Sequence, residues 1–258
     1  MLVAYTLFSG SSGNCTYIKS GKTEILIDAG RSAKQIEDAL TRVGSSIKNI
    51  SGIFVTHEHS DHVCGLEMLS KKYHIPVHFA YPSYDKCVKA DGFLKSCAVR
   101  HEIEYEKILD NLKISSFKIP HDSASNVGYI ISDGESSLGT ATDIGHITED
   151  MARKLSSCKW VILEANHDVE MLKNGPYPAF LKERILSENG HLSNKNSARL
   201  ACFFAENGVV CLTLAHLSEE NNSPSLAYDT VFSLLEKNNL KINLEVASKD
   251  THVLVTRE

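Results

Sequence analysis

The sequence lacks the features that mark secreted, membrane-bound or multidomain proteins. Its seven cysteines stand singly with no C-x-x-C pair, so neither a disulfide framework nor a thiolate metal site is indicated. No apolar run approaches the roughly 18 residues that a membrane-spanning helix requires. The first residues lack the basic region and long apolar core of a signal peptide, and no linker rich in Pro, Gly or Ser divides the chain. We therefore expect a soluble cytoplasmic protein whose residues 1–258 form one domain.

Positive charge is also scarce. The chain carries 27 Lys and Arg against 32 Asp and Glu, which gives a net charge of −5. A protein of this charge has no general attraction for nucleic acid. A polyanionic substrate would therefore have to be bound by a local basic surface or by metal ions.

The most informative segment is Thr-His-Glu-His-Ser-Asp-His, which directly follows the apolar run Ile-Phe-Val. In an extended chain His57 and His59 point to the same side, so they can bind one ion together. A helix that begins near Asp61 and continues to Leu69 would direct Asp61 and His62 toward a second ion. Imidazole and carboxylate ligands suit Zn, Mn and Fe, so the segment predicts a metal site.

Three later residues, His121, Asp143 and His216, each lie just past the carboxyl end of a predicted strand. Loops in such positions can converge on one pocket. We expect His121 to complete the first ion site and His216 to complete the second. Asp143 has two carboxylate oxygens and could bridge both ions, which in two-metal hydrolases lie about 3.5–4 Å apart.

The order of predicted elements indicates an α/β protein with two strand-rich blocks, each followed by helices. Strands are expected at 3–8, 16–19, 24–28, 53–56, 77–80, 112–119, 128–132, 138–142, 160–165, 209–215, 243–247 and 252–256. The second and third of these should form a hairpin. The clearest helices are expected at 32–43, 194–206 and 224–236. Two sheets packed face to face, with helices on the outer faces, satisfy this order.

The candidate residues, in this chain order, resemble the metallo-β-lactamase superfamily. The residues that carry the resemblance are Asp28, His57, His59, Asp61, His62, His121, Asp143 and His216. The resemblance covers nearly the whole chain. It implies a four-layer αββα sandwich with two divalent metal ions at one edge of the sheets.

Within that superfamily, the segments 8–15, 164–168 and 214–222 resemble the bacterial YycJ (WalJ) branch. This branch is related to phosphodiesterases such as RNase Z and is associated with exonuclease activity on DNA. The resemblance therefore implies a nuclease-like hydrolase rather than a lactamase, and our leading hypothesis is a two-metal 5′ exonuclease with DNA as its substrate. The sequence shows no separate long arm of the kind RNase Z uses to grip transfer RNA, so transfer-RNA processing is not expected.

The chemistry of phosphodiester cleavage suits these residues. Two divalent ions lower the pKa of a bridging water, so that hydroxide is available as a nucleophile, and they neutralise charge on a phosphoryl group. The leaving oxygen then needs a proton, and His191, which precedes a predicted helix capped by Ser193, is the candidate donor. Asp61 and Asp143 are further catalytic candidates because they would hold the ions that activate the water.

Other residues are predicted to support the ligands or to contact substrate. Asp28 could accept an N–H from a ligand histidine and Glu164 one from His191, or each could be an ordinary loop or salt-bridge carboxylate. The glycine-punctuated loop 9–14 could approach a phosphate, or could be only a tight strand connection. The predicted substrate-binding residues are Ser9, Ser11, Ser12, Asn14, His167 and Ser193.

Two alternative functions are compatible with the same residues. A hydrolase of small esters, thioesters or lactones could use the same two ions, and it would have less need of His191 because an activated carbonyl often requires no further proton donor. A non-catalytic metal-binding or redox module would not need two full metal shells. His and Asp ligands do not distinguish Zn, Mn and Fe.

Overall fold

The computed structural model describes residues 1–89, 92–247, 249 and 252–256. Within these ranges the strands, numbered β1 to β14, are Leu2–Phe8, Cys15–Ser20, Thr23–Ile27, Ile50–Val55, Val77–Ala80, Ala98–His101, Glu106–Leu109, Leu112–Ile119, Asn126–Ser132, Ser137–Ala141, Trp160–Glu164, Cys211–Ala215, Asn243–Val246 and Val253–Leu254. The α-helices α1 to α9 are Ala33–Arg42, Ser60–Val63, Leu66–Tyr73, Ser83–Cys87, Glu149–Ser156, Val169–Asn174, Ala179–Leu186, Asn194–Glu206 and Pro224–Lys237. Short 3₁₀ turns lie at Ile47–Asn49 and Phe93–Ser96.

The strands form two sheets of similar design. Their orders are β14-β1-β2-β3-β4-β5-β6 and β13-β12-β11-β10-β9-β8-β7. In the first sheet β1, β2 and β3 are antiparallel, as the predicted hairpin requires, and β3 to β6 are parallel. In the second, β7 to β10 are antiparallel and β10 to β13 are parallel. Strands β1, β3 and β4 therefore run in one direction in the first sheet, as do β8, β10, β11 and β12 in the second.

Three buried apolar layers hold the elements together. The central layer joins the two sheets, and in it Phe54 of β4 meets Tyr129 of β9 edge to face at 5.9 Å between ring centroids. A second layer, on one outer face, includes Leu40 of α1 and Leu26 of β3. A third includes Phe204 of α8 and covers the other outer face. The order helix, sheet, sheet, helix confirms the predicted αββα sandwich.

The longer helices begin where their capping residues predict. Ser32 and Gln35 form a capping box at the start of α1. Ser193 caps α8 through the backbone N–H of Asn196, and Ser223 caps α9, which has proline in its first turn. None of the helices in the described ranges combines the length and apolar character needed to cross a membrane.

The helix predicted to begin near Asp61 and reach Leu69 is divided in the structure into α2 and α3. The break lies at Gly65, whose N–H donates to the carbonyl of Ala29 at 2.8 Å. A Cβ at this glycine would lie 2.3 Å from the carbonyl oxygen of Arg31. The close contact with the loop after β3 therefore interrupts the helix and fixes α2 against that loop.

Strands β6 and β7 were not predicted from the sequence. Each is the edge strand of its sheet, and most of their residues are exposed or only half-buried. Strands are recognised in a sequence by the alternation of apolar and polar residues, which requires one buried face. Edge strands with little buried surface show this alternation only weakly.

Candidate dinuclear metal centre

Loops at one edge of the sandwich bring the predicted site residues together. The first sheet contributes the loops that follow β1, β3 and β4, and the second contributes those that follow β8, β10, β11 and β12. Because these strands run in one direction within each sheet, their carboxyl ends lie at the same edge. The convergence expected from strand-end placement is therefore present.

His57, His59 and His121 form a first cluster, in which one ring nitrogen of each lies within 4.8 Å of the others. The Nε2 of His57 is 3.0 Å from the Nδ1 of His59. The Nδ1 of His121 hydrogen bonds to the carbonyl of Gly190 at 3.1 Å, so its Nε2 is the nitrogen that faces the cluster, 3.2 Å from the Oδ1 of Asp122. Three imidazoles from two different loops thus point at one volume.

Asp61, His62 and His216 form a second cluster with ligand atoms within the same distance of one another. The Oδ2 of Asp61 lies 3.3 Å from the Nε2 of His62 and 3.5 Å from the Nε2 of His216. Burial opposes ionisation of Asp61, but its two histidine partners outweigh this and hold the pKa of the carboxyl well below its usual range.

Asp143 lies between the two clusters. Its Oδ2 is 3.2 Å from the Nε2 of His62. Its Oδ1 is 3.6 Å from the Nε2 of His216 and 3.8 Å from the Nε2 of His121. The carboxylate therefore faces ligand candidates of both clusters, which is the placement a bridging ligand requires.

The arrangement fits two divalent cations. The Nε2 atoms of His121 and His216 and the Oδ2 of Asp143 are buried without a hydrogen bond of good geometry among the described residues. Buried polar atoms are normally paired, and a bound cation would satisfy all three. Burial holds the pKa of His57 well below its ordinary value, so this imidazole stays neutral as a metal ligand must. Such buried His/Asp clusters are typical of dinuclear metal sites.

Asp28 contacts a ligand candidate from outside the clusters. Its Oδ2 is 2.8 Å from the Nδ1 of His62, and its Oδ1 accepts from the backbone N–H of Thr56 at 2.8 Å. The contact orients the ring of His62 so that Nε2 faces the cluster.

Glu164 is fully buried and serves two histidines at once. Its Oε1 is 2.8 Å from the Nδ1 of His191 and 2.8 Å from the Nδ1 of His216. Its Oε2 accepts backbone N–H groups of Ile144 and Leu192. Burial raises the pKa of this carboxyl, but the two histidines outweigh it and lower the pKa to about 2. For His191 the signs are reversed: burial lowers the pKa of the imidazole, but Glu164 outweighs this effect and raises the pKa above its ordinary value.

Three site residues adopt left-handed backbone conformations that are uncommon for side-chain-bearing residues. Asp28, Asp143 and His216 have φ values of 61°, 58° and 56°. Hydrogen bonds hold two of them: Asn126 donates to the carbonyl of Asp143 at 2.9 Å, and Ser9 accepts from the N–H of His216 at 2.8 Å. Backbone strain of this kind is often found at functional sites.

The loop 9–14 supports the loops that carry the candidate metal ligands. Besides the bond from His216 to Ser9, the Nδ2 of Asn14 donates to the Oδ2 of Asp61 at 3.3 Å and lies 3.1 Å from the Nε2 of His62. Both Ser9 and Asn14 are buried. Of the two roles considered for this loop, phosphate binding and a tight connection between strands, the contacts of Ser9 and Asn14 fit the connection better.

A cavity of about 220 Å³ opens beside the clusters, and of the residues predicted to bind substrate only Ser11 lines it. His167 is buried, with neither ring nitrogen hydrogen bonded to a described residue, and Ser193 uses its hydroxyl to cap α8. The predicted substrate-binding residues that do not line the cavity are Ser9, Ser12, Asn14, His167 and Ser193. Short polar residues near strand ends look alike in sequence whether they face the cavity or brace its walls.

The sequence reasoning missed other residues of the site. Tyr177 and Arg184 line the cavity from α7 and the segment before it. The carboxylate of Glu58 accepts from the hydroxyl of Ser83 and from the backbone N–H of Ala124, each at 2.7 Å, and so ties the histidine segment to the loop after β8. Glu58 stands inside the histidine motif, which could have drawn attention to it, but nothing in the local pattern marks the α7 residues.

The αββα sandwich and the paired His/Asp clusters at its edge define a hydrolase of the metallo-β-lactamase fold. Residues 23–213 match the Beta-lactamase superfamily domain. The chain therefore belongs to the metallo-β-lactamase superfamily.

Comparison with known proteins shows similarity along nearly the whole chain. It is 33% identical over 248 residues to the exodeoxyribonuclease WalJ of Streptococcus pneumoniae, covering 95% of this chain and 92% of the relative. It is 32% identical over 246 residues to the exodeoxyribonuclease YycJ of Bacillus anthracis, covering 95% and 93%. The solved structure of the metallo-β-lactamase fold protein YhfI from Bacillus subtilis aligns with a TM-score of 0.72 at 13% identity, covering 98% of this chain and 100% of that one. The resemblance to the YycJ (WalJ) branch is confirmed.

Proposed function

We propose that this chain is a two-metal phosphodiesterase that degrades DNA as a 5′ exonuclease in the cytoplasm. Two relatives at about one-third identity carry the name exodeoxyribonuclease, and the His/Asp clusters provide the donors for two ions of Zn, Mn or Fe. The proposed ligands are His57, His59 and His121 for one ion, Asp61, His62 and His216 for the other, and Asp143 for both.

The observation that carries the proposal is the position of His191. Its ring lies 5.1 Å from that of His121 and 5.4 Å from that of His216, measured between centroids, and it lines the cavity. Because Glu164 engages Nδ1 at 2.8 Å, Nε2 is the nitrogen available to a substrate. A proton donor beside the metal clusters is what an alkoxide leaving group requires.

The chain's residues have distinct roles in this proposal. Two bound divalent ions would supply a water of lowered pKa as the nucleophile and would neutralise charge on the phosphoryl group. Glu164 holds His191 in one orientation and raises its pKa above the ordinary value, which favours the protonated imidazole. His191 then gives the Nε2 proton to the leaving oxygen of the DNA chain.

The substitution His191→Ala tests the proposal. With Mn or Zn present, kcat on 5′-labelled DNA should fall by about 10²–10⁴-fold, the usual contribution of a positioned acid. A nitrophenyl phosphodiester has a leaving group that needs little protonation, so it should be much less affected. Metal content should equal that of the parent. The control is His146→Ala, which removes an exposed histidine that does not line the His191 cavity.

Other outcomes contradict the proposal in different ways. Equal losses on DNA and on the nitrophenyl substrate would assign His191 a binding or structural role. A metal-loaded parent protein that hydrolyses a lactone or thioester but neither phosphodiester would replace the nuclease with a carbonyl hydrolase. Early release of label from a 3′-labelled substrate, with none from the 5′-labelled one, would reverse the proposed polarity.

A further inference from the structure

The cavity beside the metal clusters has a wall that the chemistry described above does not use. Side chains of both clusters form part of its lining, and another part comes from α7 and the segment that precedes it. This second part consists of Tyr177, Leu181, Arg184 and Ile185. A substrate bound at the clusters would therefore also meet α7.

Arg184 lines this cavity and brings a positive charge to it. Its side chain, 49% exposed, pairs with Asp122 through Nε and through Nη2, which is 3.1 Å from Oδ1. The same Oδ1 is 3.2 Å from the Nε2 of His121, so the guanidinium lies next to the first cluster. A guanidinium binds phosphate with the same forked geometry that it uses for a carboxylate. Since exposed ion pairs contribute little stability, exchanging Asp122 for a phosphate would cost little.

Phe180 lies one helical turn before Arg184 and is 72% exposed. Residues four apart occupy the same side of a helix with Cβ atoms about 5–6 Å apart. Ile185 is the buried residue of α7, so the exposed aromatic ring is not needed to attach the helix to the core. Exposed aromatic rings beside basic groups are the usual stacking platforms for the bases of single-stranded nucleic acid.

We propose that α7 binds the nucleotide next to the scissile bond at a single-stranded DNA end. Arg184 binds the phosphate of this nucleotide in place of Asp122, and Phe180 stacks on its base. The inference rests on the proposed phosphodiesterase function and adds the preferred form of the substrate. It also supplies the local basic group that a protein of net charge −5 needs to hold a polyanion.

The experiment compares Arg184→Gln and Phe180→Ala with the parent on a short single-stranded oligonucleotide. Either substitution should raise KM by about 10-fold or more, the usual effect of losing a charge-assisted hydrogen bond or a stacked base. Arg184→Gln should also reduce the slope of log(kcat/KM) against log salt concentration by about 0.7, the value for one single-strand phosphate contact. Phe180→Ala should leave that slope unchanged. Hydrolysis of a nitrophenyl phosphodiester, which has neither a base nor a second phosphate, should be changed much less than hydrolysis of the oligonucleotide in both variants.

Two controls separate substrate binding from a structural role of the ion pair. Asp122→Asn breaks the same ion pair but keeps Arg184, so it should retain oligonucleotide binding and the parental salt slope. If the pair only fastens α7, Asp122→Asn and Arg184→Gln should behave alike. Lys182→Gln removes a positive charge that stands two positions from both Phe180 and Arg184, on a different side of α7, and it should have neither effect.

The result that overturns the inference is a parental KM and salt slope in both Arg184→Gln and Phe180→Ala. Fluorescence anisotropy with a labelled oligonucleotide makes the same comparison without turnover. A metal-loaded parent that binds the oligonucleotide through Arg184 but cleaves no phosphodiester would overturn the proposed function and leave the binding site in place. A parent that cleaves DNA with no dependence on either side chain would overturn the binding site alone.

Discussion

The Oδ2 of Asp28 and the Nδ1 of His62 lie 2.8 Å apart in the interior of the protein, and both side chains are almost completely buried. Because Nδ1 is engaged, the Nε2 of His62 faces Asp61 and Asp143, at 3.3 and 3.2 Å. Outer partners of this kind fix the tautomer and direction of a metal-binding imidazole. The pair therefore connects a residue just past the end of β3 to a candidate metal ligand.

Asp28→Asn should weaken metal binding by about 10–100-fold while the protein remains folded. Asparagine tolerates the left-handed backbone at this position, where φ is 61°, so the change removes charge without adding backbone strain. Metal content after dialysis against a mild chelator provides the measurement. Asp38→Asn, which neutralises an exposed carboxylate paired with Lys34 on α1, is the control. Retention equal to the parent would leave Asp28 with a structural role only.

Local sequence was sufficient to predict where much of the site would be. His57, His59, Asp61 and His62 lie within six consecutive positions, so their proximity follows from chain connectivity. The later residues His121, Asp143 and His216 could be placed because each follows a strand, and the carboxyl ends of strands running in one direction share an edge.

Residues whose role depends on distant partners could not be predicted. Ser9 hydrogen bonds to the backbone of His216 across 207 positions, and Arg184 pairs with Asp122 across 62. No local period or spacing encodes such contacts. The same polar loop could equally have bound phosphate, so only the packing of the two sheets decides what Ser9 contacts.

Glu164→Gln should lower kcat on DNA by about 10–100-fold and move the alkaline limb of the pH–rate profile to lower pH. One Glu164 oxygen faces two histidine nitrogens and the other accepts two backbone N–H groups. A glutamine has only one acceptor oxygen, so it must lose one of these pairs. Glu164 raises the pKa of His191. Replacing this carboxylate with a neutral amide therefore lowers the pKa of His191, and His191 loses its proton at a lower pH.

The measurement for Glu164→Gln is kcat against pH, together with metal content. Glu188→Gln, at an exposed position on the loop before His191, should leave the profile in place. A Glu164→Gln protein with full metal content and the parental pH profile would show that Glu164 does not tune His191.

His78→Phe should make the protein less sensitive to acid. His78 is buried and stacked on Phe54 at 4.3 Å, and burial lowers its pKa to about 4. Between this value and the ordinary value near 6.5 the unfolded chain binds more protons at this position, so stability is lost as the pH falls through that window. A shift of this size corresponds to about 3 kcal/mol at most.

Urea unfolding of the metal-free proteins at pH 7 and pH 4.5 measures this effect. The loss of unfolding free energy between the two pH values should be smaller in His78→Phe than in the parent, by on the order of 2 kcal/mol. His146→Gln, which removes an exposed histidine, is the control. An identical loss in His78→Phe and the parent would show that His78 does not contribute to acid sensitivity.

Metal binding should release protons, and metal affinity should therefore rise with pH. Burial lowers the pKa of His216, but Asp143 and Asp61 outweigh it and raise the pKa to about 10. In the metal-free protein this imidazole is therefore protonated at neutral pH, and an incoming ion must displace the proton.

Titration calorimetry of the metal-free protein, in buffers of different ionisation enthalpy at one pH, counts the protons released when the metal binds. The rise in melting temperature at a fixed metal concentration should likewise be larger at pH 8 than at pH 6, because tighter binding stabilises the folded state more. His216→Asn should release fewer protons than the parent, and a binding enthalpy independent of the buffer would contradict the prediction.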